Sequence, residues 1–266
     1  MPPRNARATA ERIAGAWSQP DTLSKREALE DVNGQPSRSQ LYYIELNATP
    51  ARLAEELAEL FDDPTTTTPG SMSRCHFLDG GIIGGPPSQI SDGKWKKPSV
   101  VLSGAVDLPS TWASLAETLN ATLVSPRIGA ASTLKLSFAA LTKGLTALSI
   151  LSVSTAQKEG LLSELLGHLD QYSPHTAALA RSGVVGMSPK AYRWVDEMHG
   201  IGEAIDREGE WDGVGSQVYG GFAEIYRTVA EDTILGQERV EARARGTSVE
   251  DAAAIVGRAR HRGGMS

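Results

Sequence analysis

Hydrophobic positions follow two regimes along this chain. In the first, short β-type runs alternate with helical segments. LYYIELNA places Tyr42, Tyr43 and Ile44 in a strand that ends at Asn47. PARLAEELAELF opens on Pro50 and sets Leu53, Leu57, Leu60 and Phe61 on one helical face. FLDGGIIGG and SVVLSG, from Ser99 to Gly104, read as further strands, with the polar SQISDGKWKK between them as a loop. LPSTWASLAETLN predicts a helix and ATLVSP a short strand. Upstream, Asn5 to Ala14 permits a short amphipathic helix after Pro2 and Pro3, and the polar stretch 18–40, broken by Pro20, Gly34 and Pro36, reads as a mobile insertion. Strand, helix, strand order predicts an α/β layer with a mainly parallel sheet.

After Arg127 the pattern changes to helices alone. They are predicted near Ala131 to Lys158, Leu161 to Tyr172, Thr176 to Ser182, Pro189 to Arg207, Val214 to Leu235 and Val249 to Arg260. The fold class expected is therefore α/β plus all-α, with domains at 1–127 and 128–266. The terminal RARHRGGMS reads as a frayed basic tail.

Composition narrows the function classes. The 266 residues are 40% hydrophobic with a net charge of -6, which offers no field for nucleic acid or an anionic membrane. Cys75 is the single cysteine, so neither an internal disulfide nor a cysteine zinc site can form. The most apolar stretch, LKLSFAALTKGLTALSILSV, is interrupted by Lys135, Thr142, Lys143 and Thr146 and reads as a buried helix rather than a span. The start has the arginines of a transit peptide, but Glu11, the early prolines and the lack of an apolar core oppose a leader; a cytoplasmic location is expected. The five histidines have no metal-ligand spacing, and no Ser/His/Asp or Cys/His arrangement is recognisable.

Four local sequences, in order, resemble the 6-phosphogluconate dehydrogenase / 3-hydroxyisobutyrate dehydrogenase-like family. PPRNARATAERIA resembles the segment after its cofactor-lining strand, and YYIELNATP its turn beside the nicotinamide. FLDGGIIGGPP resembles its substrate loop, and RIGAASTLKLSFAALTKGLTAL its interdomain helix, with Lys135 six residues after Gly129. IIGGPP, the A-x-x-KG step and AYRWVDEM resemble a subgroup with a phosphogluconate dehydrogenase-like C-terminal domain. The resemblance implies an incomplete Rossmann-like domain followed by a 6-phosphogluconate dehydrogenase C-terminal-like helical domain, NAD or NADP as cofactor, and a homodimer formed through the helical domain.

It also implies roles. Lys135 matches the lysine that handles the hydroxyl proton while hydride moves between substrate and nicotinamide. Lys135, Thr142 and Thr146 share one stripe of an otherwise apolar helix, so they need partners or a wet cleft; by spacing alone a solvated lysine remains open. Gly84 and Gly85 would let backbone amides approach a substrate carboxylate, with Ile83 in place of the usual serine. Phe138 and Ala139 stand where relatives carry asparagine; Lys143 is a candidate to replace that contact, and a simple exposed lysine is the equal alternative. Pro3, Asn47 and Gly129 fall at cofactor-lining positions. Asn47 could equally stabilise its own turn. Lys94, Lys96 and Lys97 around Trp95 read as a solvated loop with one packed tryptophan, or as an anion-contacting lid. Arg193 and Glu197 are spaced as an i,i+4 pair.

No G-x-G-x-x-G turn occurs in the chain. Against the family, PPRNA stands where two βα units, on the order of 60 residues, should already have passed. Two expectations follow: a shortened form or incomplete gene model of an NAD(P)-dependent oxidoreductase acting on a hydroxyacid-type substrate, the Phe138–Ala139 departure speaking against an ordinary small hydroxyacid, or an inert remnant that serves as an oligomerisation or binding module. Weak cofactor binding is expected of these 266 residues alone.

Overall fold

The computed structural model describes residues 5–17, 19–22, 24–25, 41–47, 49–61, 75–106 and 108–259. The chain divides into two compact units, 1–136 and 137–266.

In the first unit, helix α1 (Ala6–Trp17) precedes strand β1 (Leu41–Glu45), helix α2 (Ala51–Glu59) and strand β2 (Cys75–Ile83). A two-strand hairpin, β3 (Ser88–Gln89) and β4 (Trp95–Lys96), leads to β5 (Ser99–Ser103), α3 (Trp112–Leu119) and β6 (Ala121–Ser125). The four-stranded sheet runs β1-β2-β5-β6. β1 pairs with β2 in parallel and β5 with β6 in parallel. The joint between β2 and β5 is antiparallel, because residues 84–98 hold a hairpin instead of a crossover helix. The sheet is thus mixed, and the stretch expected to be loop contains this small hairpin.

Alternation along β2 decides what each side of the sheet meets. Phe77, Asp79 and Gly81 share one face, with Tyr43 and Glu45 of β1 beside them in register. Phe77 packs there with Ala6 and Ala10 of α1 and Leu57 and Ala58 of α2. Tyr43 stacks on Phe61 at 4.8 Å and on Phe77 at 5.8 Å. Burying a side chain such as Leu57 or Phe77 stabilises this layer by about 1.5–3 kcal/mol each. The other face carries Leu78 and Leu102, both fully buried, and the Tyr42–His76 stack.

Pro50 holds an extended backbone ahead of α2, as its fixed φ favours. α3 ends on Asn120 in the left-handed region, where its amide N–H donates to the carbonyls of Ala116 and Glu117. Lys97 donates to the carbonyls of Glu117 and Thr118 at 3.3 and 2.8 Å, so it caps the C-terminus of α3. Trp95 is 57% exposed, which corrects the expectation that it packs.

Helix α4 (Ala130–Lys158) begins in the first unit and continues into the second. α5 (Leu162–Tyr172), α6 (Pro174–Met187), α7 (Ala191–Glu208), α8 (Val214–Glu231) and α9 (Val249–Arg258) follow. α6 is longer at both ends than Thr176 to Ser182, since Pro174 suits a first helical position and no breaker intervenes before Ser188. α7 and α8 approach closely: a Cβ on Gly202 would stand 2.9 Å from the carbonyl oxygen of Gly215. Ser248 caps α9 by accepting from the Asp251 amide at 3.2 Å.

α4 is long and apolar enough to cross a membrane by length and composition, and half of its most apolar window is buried inside the protein. The helix expected to be buried is thus buried on one side and exposed on the other. Ala139, Ala140, Ala147, Ile150 and Val153 face inward, whereas Leu141 is 77% exposed.

Candidate functional site

The C-terminal ends of β1 and β2 and the first two turns of α4, with the residue before it, carry most of the sequence-derived candidates. Ligands of open α/β sheets bind outside such strand ends. On β1, Glu45 is buried and accepts hydrogen bonds from the Tyr43 hydroxyl at 3.2 Å, the Asn47 backbone N–H at 2.8 Å and the Asn47 side-chain amide. Burial first, and Glu45 next, push the Tyr43 hydroxyl up to about 12. Asn47 also accepts, through its carbonyl, from the Thr49 N–H at 2.9 Å. Asn47 therefore closes its own turn through Glu45, the second of the two readings the sequence left open. Thr49 is buried, and its hydroxyl oxygen has no hydrogen-bond partner among the described residues.

On β2, Asp79 is fully buried and is the register partner of Glu45. It accepts from the Ser103 hydroxyl at 3.0 Å, the Ser132 N–H at 3.0 Å and the Ser132 hydroxyl at 2.5 Å. The Ser103 oxygen in turn accepts from the Ala131 N–H at 3.0 Å. Two residues along the same face, a Cβ on Gly81 would lie 2.9 Å from Cβ of Lys135 and 3.1 Å from its Cγ. The lysine stem thus rests on a glycine, and Lys135 is half-buried there.

Ile83 ends β2, paired with Ser99. Gly84 follows at φ 111°, a left-handed position, with the space for a Cβ bounded by Pro98 at 3.5 Å. Gly85 is exposed, and among the described residues nothing lies within 4 Å of where its Cβ would stand. Gly129, at φ 87°, has a different explanation from cofactor contact: a Cβ there would meet Cβ of Ala51 at 2.8 Å. Pro3 lies outside the described residues.

Lys143 belongs to the helical unit, and its amine pairs with Glu197 there, 4.9 Å from the Trp194 ring centre. Glu197 is thus engaged by Lys143, in place of the i,i+4 pair with Arg193 expected from spacing. Tyr226, fully buried beside them, donates to the Lys143 carbonyl at 2.5 Å. Its hydroxyl is raised well above the usual range by burial and by Glu197. Thr142 and Thr146 donate to the carbonyls of Phe138 and Thr142, each at 3.0 Å, so this part of the polar stripe is satisfied by the helix itself.

Sequence reasoning missed Glu45, Asp79, Ser103 and Ser132. The available signal was an acid inside each of two apolar strands, since a buried carboxyl group requires donors. A separate cavity of about 620 Å³ lies in the helical unit, lined by Gln157, Ser163, Leu166, Asp170, Arg181 and Glu250. Arg181 is held by a two-point pair with Asp170 at 2.7 Å each. Among the described residues no group of three or more His, Cys, Asp or Glu could hold a metal ion.

A dinucleotide requires more than the described residues display. Without G-x-G-x-x-G there is no pyrophosphate turn, the Asn47 side-chain amide is committed to Glu45, and Ala51 fills the space at Gly129. Gly84 and Gly85 are exposed, and the described residues do not by themselves form a dinucleotide site.

Residues 156–229 match the family described as Domain of unknown function (DUF1932). A conserved hypothetical protein from Sinorhizobium meliloti 1021 is 17% identical over 82% of this chain and 66% of its own, with a TM-score of 0.57. The conserved protein MTH1747, reported as structurally similar to 3-hydroxyacid dehydrogenases, is 17% identical over 86% of this chain and 73% of its own, with a TM-score of 0.53. An imine reductase from Myxococcus stipitatus in complex with NADP+ is 16% identical over 76% of this chain and 71% of its own, with a TM-score of 0.34. No curated protein matches. The chain thus spans about two thirds of the first structure's length. It carries a DUF1932 segment and has the fold of the 3-hydroxyacid dehydrogenase-like proteins, a Rossmann-like α/β unit followed by a helical one.

Proposed function

We propose that this chain supplies the substrate-side half of an NAD(P)-linked oxidoreductase acting on a hydroxyacid-type substrate. One observation carries the reading: Lys135 is seated by its stem on Gly81, on the strand that ends in the exposed Gly84–Gly85 turn. A nicotinamide cofactor, if a glycine-rich turn were supplied to hold it, would supply hydride chemistry; the residues of this chain would handle the proton and the carboxylate. Lys135 moves the hydroxyl proton, and the exposed amides of Gly84 and Gly85 receive the carboxylate. Ile83 in place of a hydroxyl side chain favours a substrate with an apolar flank.

A helix stripe supports a homodimer. Leu134, Phe138, Leu141, Leu145 and Leu148 recur at steps of four, three, four and three along α4, and four of the five are at least 42% exposed. A seam with that 3.5-residue period fits a second copy of the same helix. The same stripe also favours the second reading, a non-enzymatic oligomerisation module. The location we propose is cytoplasmic.

Nicotinamide fluorescence and absorbance separate the readings. With the chain alone, NADPH binding is weak; micromolar affinity would overturn the account of the missing turn. With a strand–G-x-G-x-x-G–helix fragment fused ahead of residue 1, turnover of a hydroxyacid panel appears, and Lys135→Met lowers it by about 10²-fold or more. Full turnover in that variant excludes the lysine, and no turnover in the parent favours the oligomerisation module.

A further inference from the structure

We infer that Asp79 is the positioning residue for Lys135, an inference that rests on the proton-handling role just proposed. The amides of a helix's first turn lack partners within the helix, and most helices satisfy them with a local side chain or water. In α4 every one is accounted for. Ala130 N–H donates to the Arg127 carbonyl at 3.2 Å and Thr133 N–H to the Gly129 carbonyl at 2.9 Å. Ala131 N–H donates to the Ser103 hydroxyl oxygen and Ser132 N–H to Asp79. The two central amides are thus met by the sheet itself, one by β2 directly and one through β5.

Geometry makes that attachment a means of aiming. Ser132 and Lys135 are three residues apart on the helix, a rise of about 4.5 Å on neighbouring positions of one face. Asp79 and Gly81 are two residues apart on β2, about 6.6 Å along the same face of the strand. Asp79 holds Ser132 through both its N–H and its hydroxyl, and Gly81 receives the stem of Lys135. Two contacts between one strand and one helix face fix both the height and the rotation of the helix start. Gly129 against Ala51 adds a third fixed point. Asp79 itself is fully buried, with its oxygens engaged by serines and a backbone amide, so it acts through Lys135 and does not touch substrate.

The test follows the amine of Lys135, not activity alone. Reductive ¹³C-methylation of the whole chain, with Lys135→Arg to assign the resonance, gives the pH midpoint of that lysine by NMR. Ser132→Ala and Ser103→Ala each remove one attachment without changing charge, and Asp79→Asn removes the charge and turns one of the two acceptor oxygens into a donor. The expected result is a shift of the Lys135 midpoint by about half a pH unit or more in the folded variants, while the Lys94 and Lys96 midpoints stay in place. Ser132→Thr, which keeps the hydroxyl, restores the parent value. A Lys135 midpoint unchanged in Ser132→Ala and Ser103→Ala, with far-UV circular dichroism intact, overturns the inference even if Lys135→Met abolishes turnover. Conversely, full turnover in Lys135→Met removes the proton-handling role whatever the midpoints show.

Discussion

Gly81 stands directly under the stem of Lys135, close enough that the smallest possible side chain, a single Cβ, would approach the lysine Cβ to 2.9 Å. That separation is shorter than carbon–carbon contact distance, and the obstructing atoms are the root of the lysine rather than its flexible end. The glycine is a packing requirement of the β2–α4 contact.

Gly81→Ala is therefore expected to destabilise the first unit by about 1–3 kcal/mol, the usual cost of overpacking. Chemical denaturation measures it. In the double variant Gly81→Ala, Lys135→Gly the steric part disappears, leaving chiefly the helix cost of glycine, about 1 kcal/mol. Additive losses in the two single variants and the double would rule out direct contact.

Much of this architecture was legible because it depends on period and punctuation. The run of Tyr42, Tyr43 and Ile44, the proline ahead of Ala51 and the apolar periodicity after Arg127 gave strands and helices close to those observed. The helix starting at Pro174 was read too short because its small residues, Ala177, Ala180, Gly183 and Gly186, weaken the hydrophobic stripe. The antiparallel joint was illegible: whether residues 84–98 cross over or fold back depends on pairing between Ser88–Gln89 and Trp95–Lys96, which no local pattern announces. At the candidate site, the lysine and the glycine turn are expectations that rest on resemblance. The buried acceptors were illegible, since Asp79 and Ser132 lie 53 residues apart and only tertiary structure makes them neighbours. The Lys143–Glu197 pair is illegible for the same reason: the two residues are distant in sequence and become neighbours only in the folded helical unit.

The Lys143–Glu197 pair is largely shielded, with side-chain exposures of 17% and 25%. Removing one partner leaves the other without compensation in a partly dry environment, whereas removing both does not. Lys143→Met is expected to cost about 1–3 kcal/mol, including about 0.5–2 kcal/mol from lost contact with the Trp194 ring. Glu197→Gln in the Lys143→Met background should return part of that loss in urea denaturation. Single losses that sum in the double variant would show that the pair is not coupled.

A second acid offers a pH test with a definite sign. Asp206 at the end of α7 accepts from the amides of Gly215 and Ser216 at 2.5 and 2.8 Å, and so caps α8 from a neighbouring helix. The Ser216 hydroxyl first, then the amides of Ser216, Gly215 and Gly213, hold its carboxyl below the ordinary carboxylate range. A depressed folded value means that the stabilisation is present above the unfolded value, about 3.9, and is lost as pH falls through the folded one. Asp206→Asn should therefore lower Tm at neutral pH, with the gap to the parent closing below about pH 4. A gap that persists unchanged in acid would mean that the carboxylate contributes through shape alone.

The apolar stripe on α4 gives the last expectation. Leu141, 77% exposed, and Leu148, 51% exposed, lie a heptad apart on the helix face proposed to meet a second copy. An arginine placed at the centre of such a seam must either desolvate or splay the helices apart, so it opposes association without touching the fold of one chain. Leu141→Arg together with Leu148→Arg is expected to turn a dimer into a monomer in sedimentation velocity, with far-UV circular dichroism retained. Because α4 starts at the Asp79 attachment, the same variants also report whether association alters the site: a Lys135 midpoint that differs between dimer and monomer links the two. If the parent chain sediments as a monomer at high concentration, the stripe requires another covering and the homodimer is wrong.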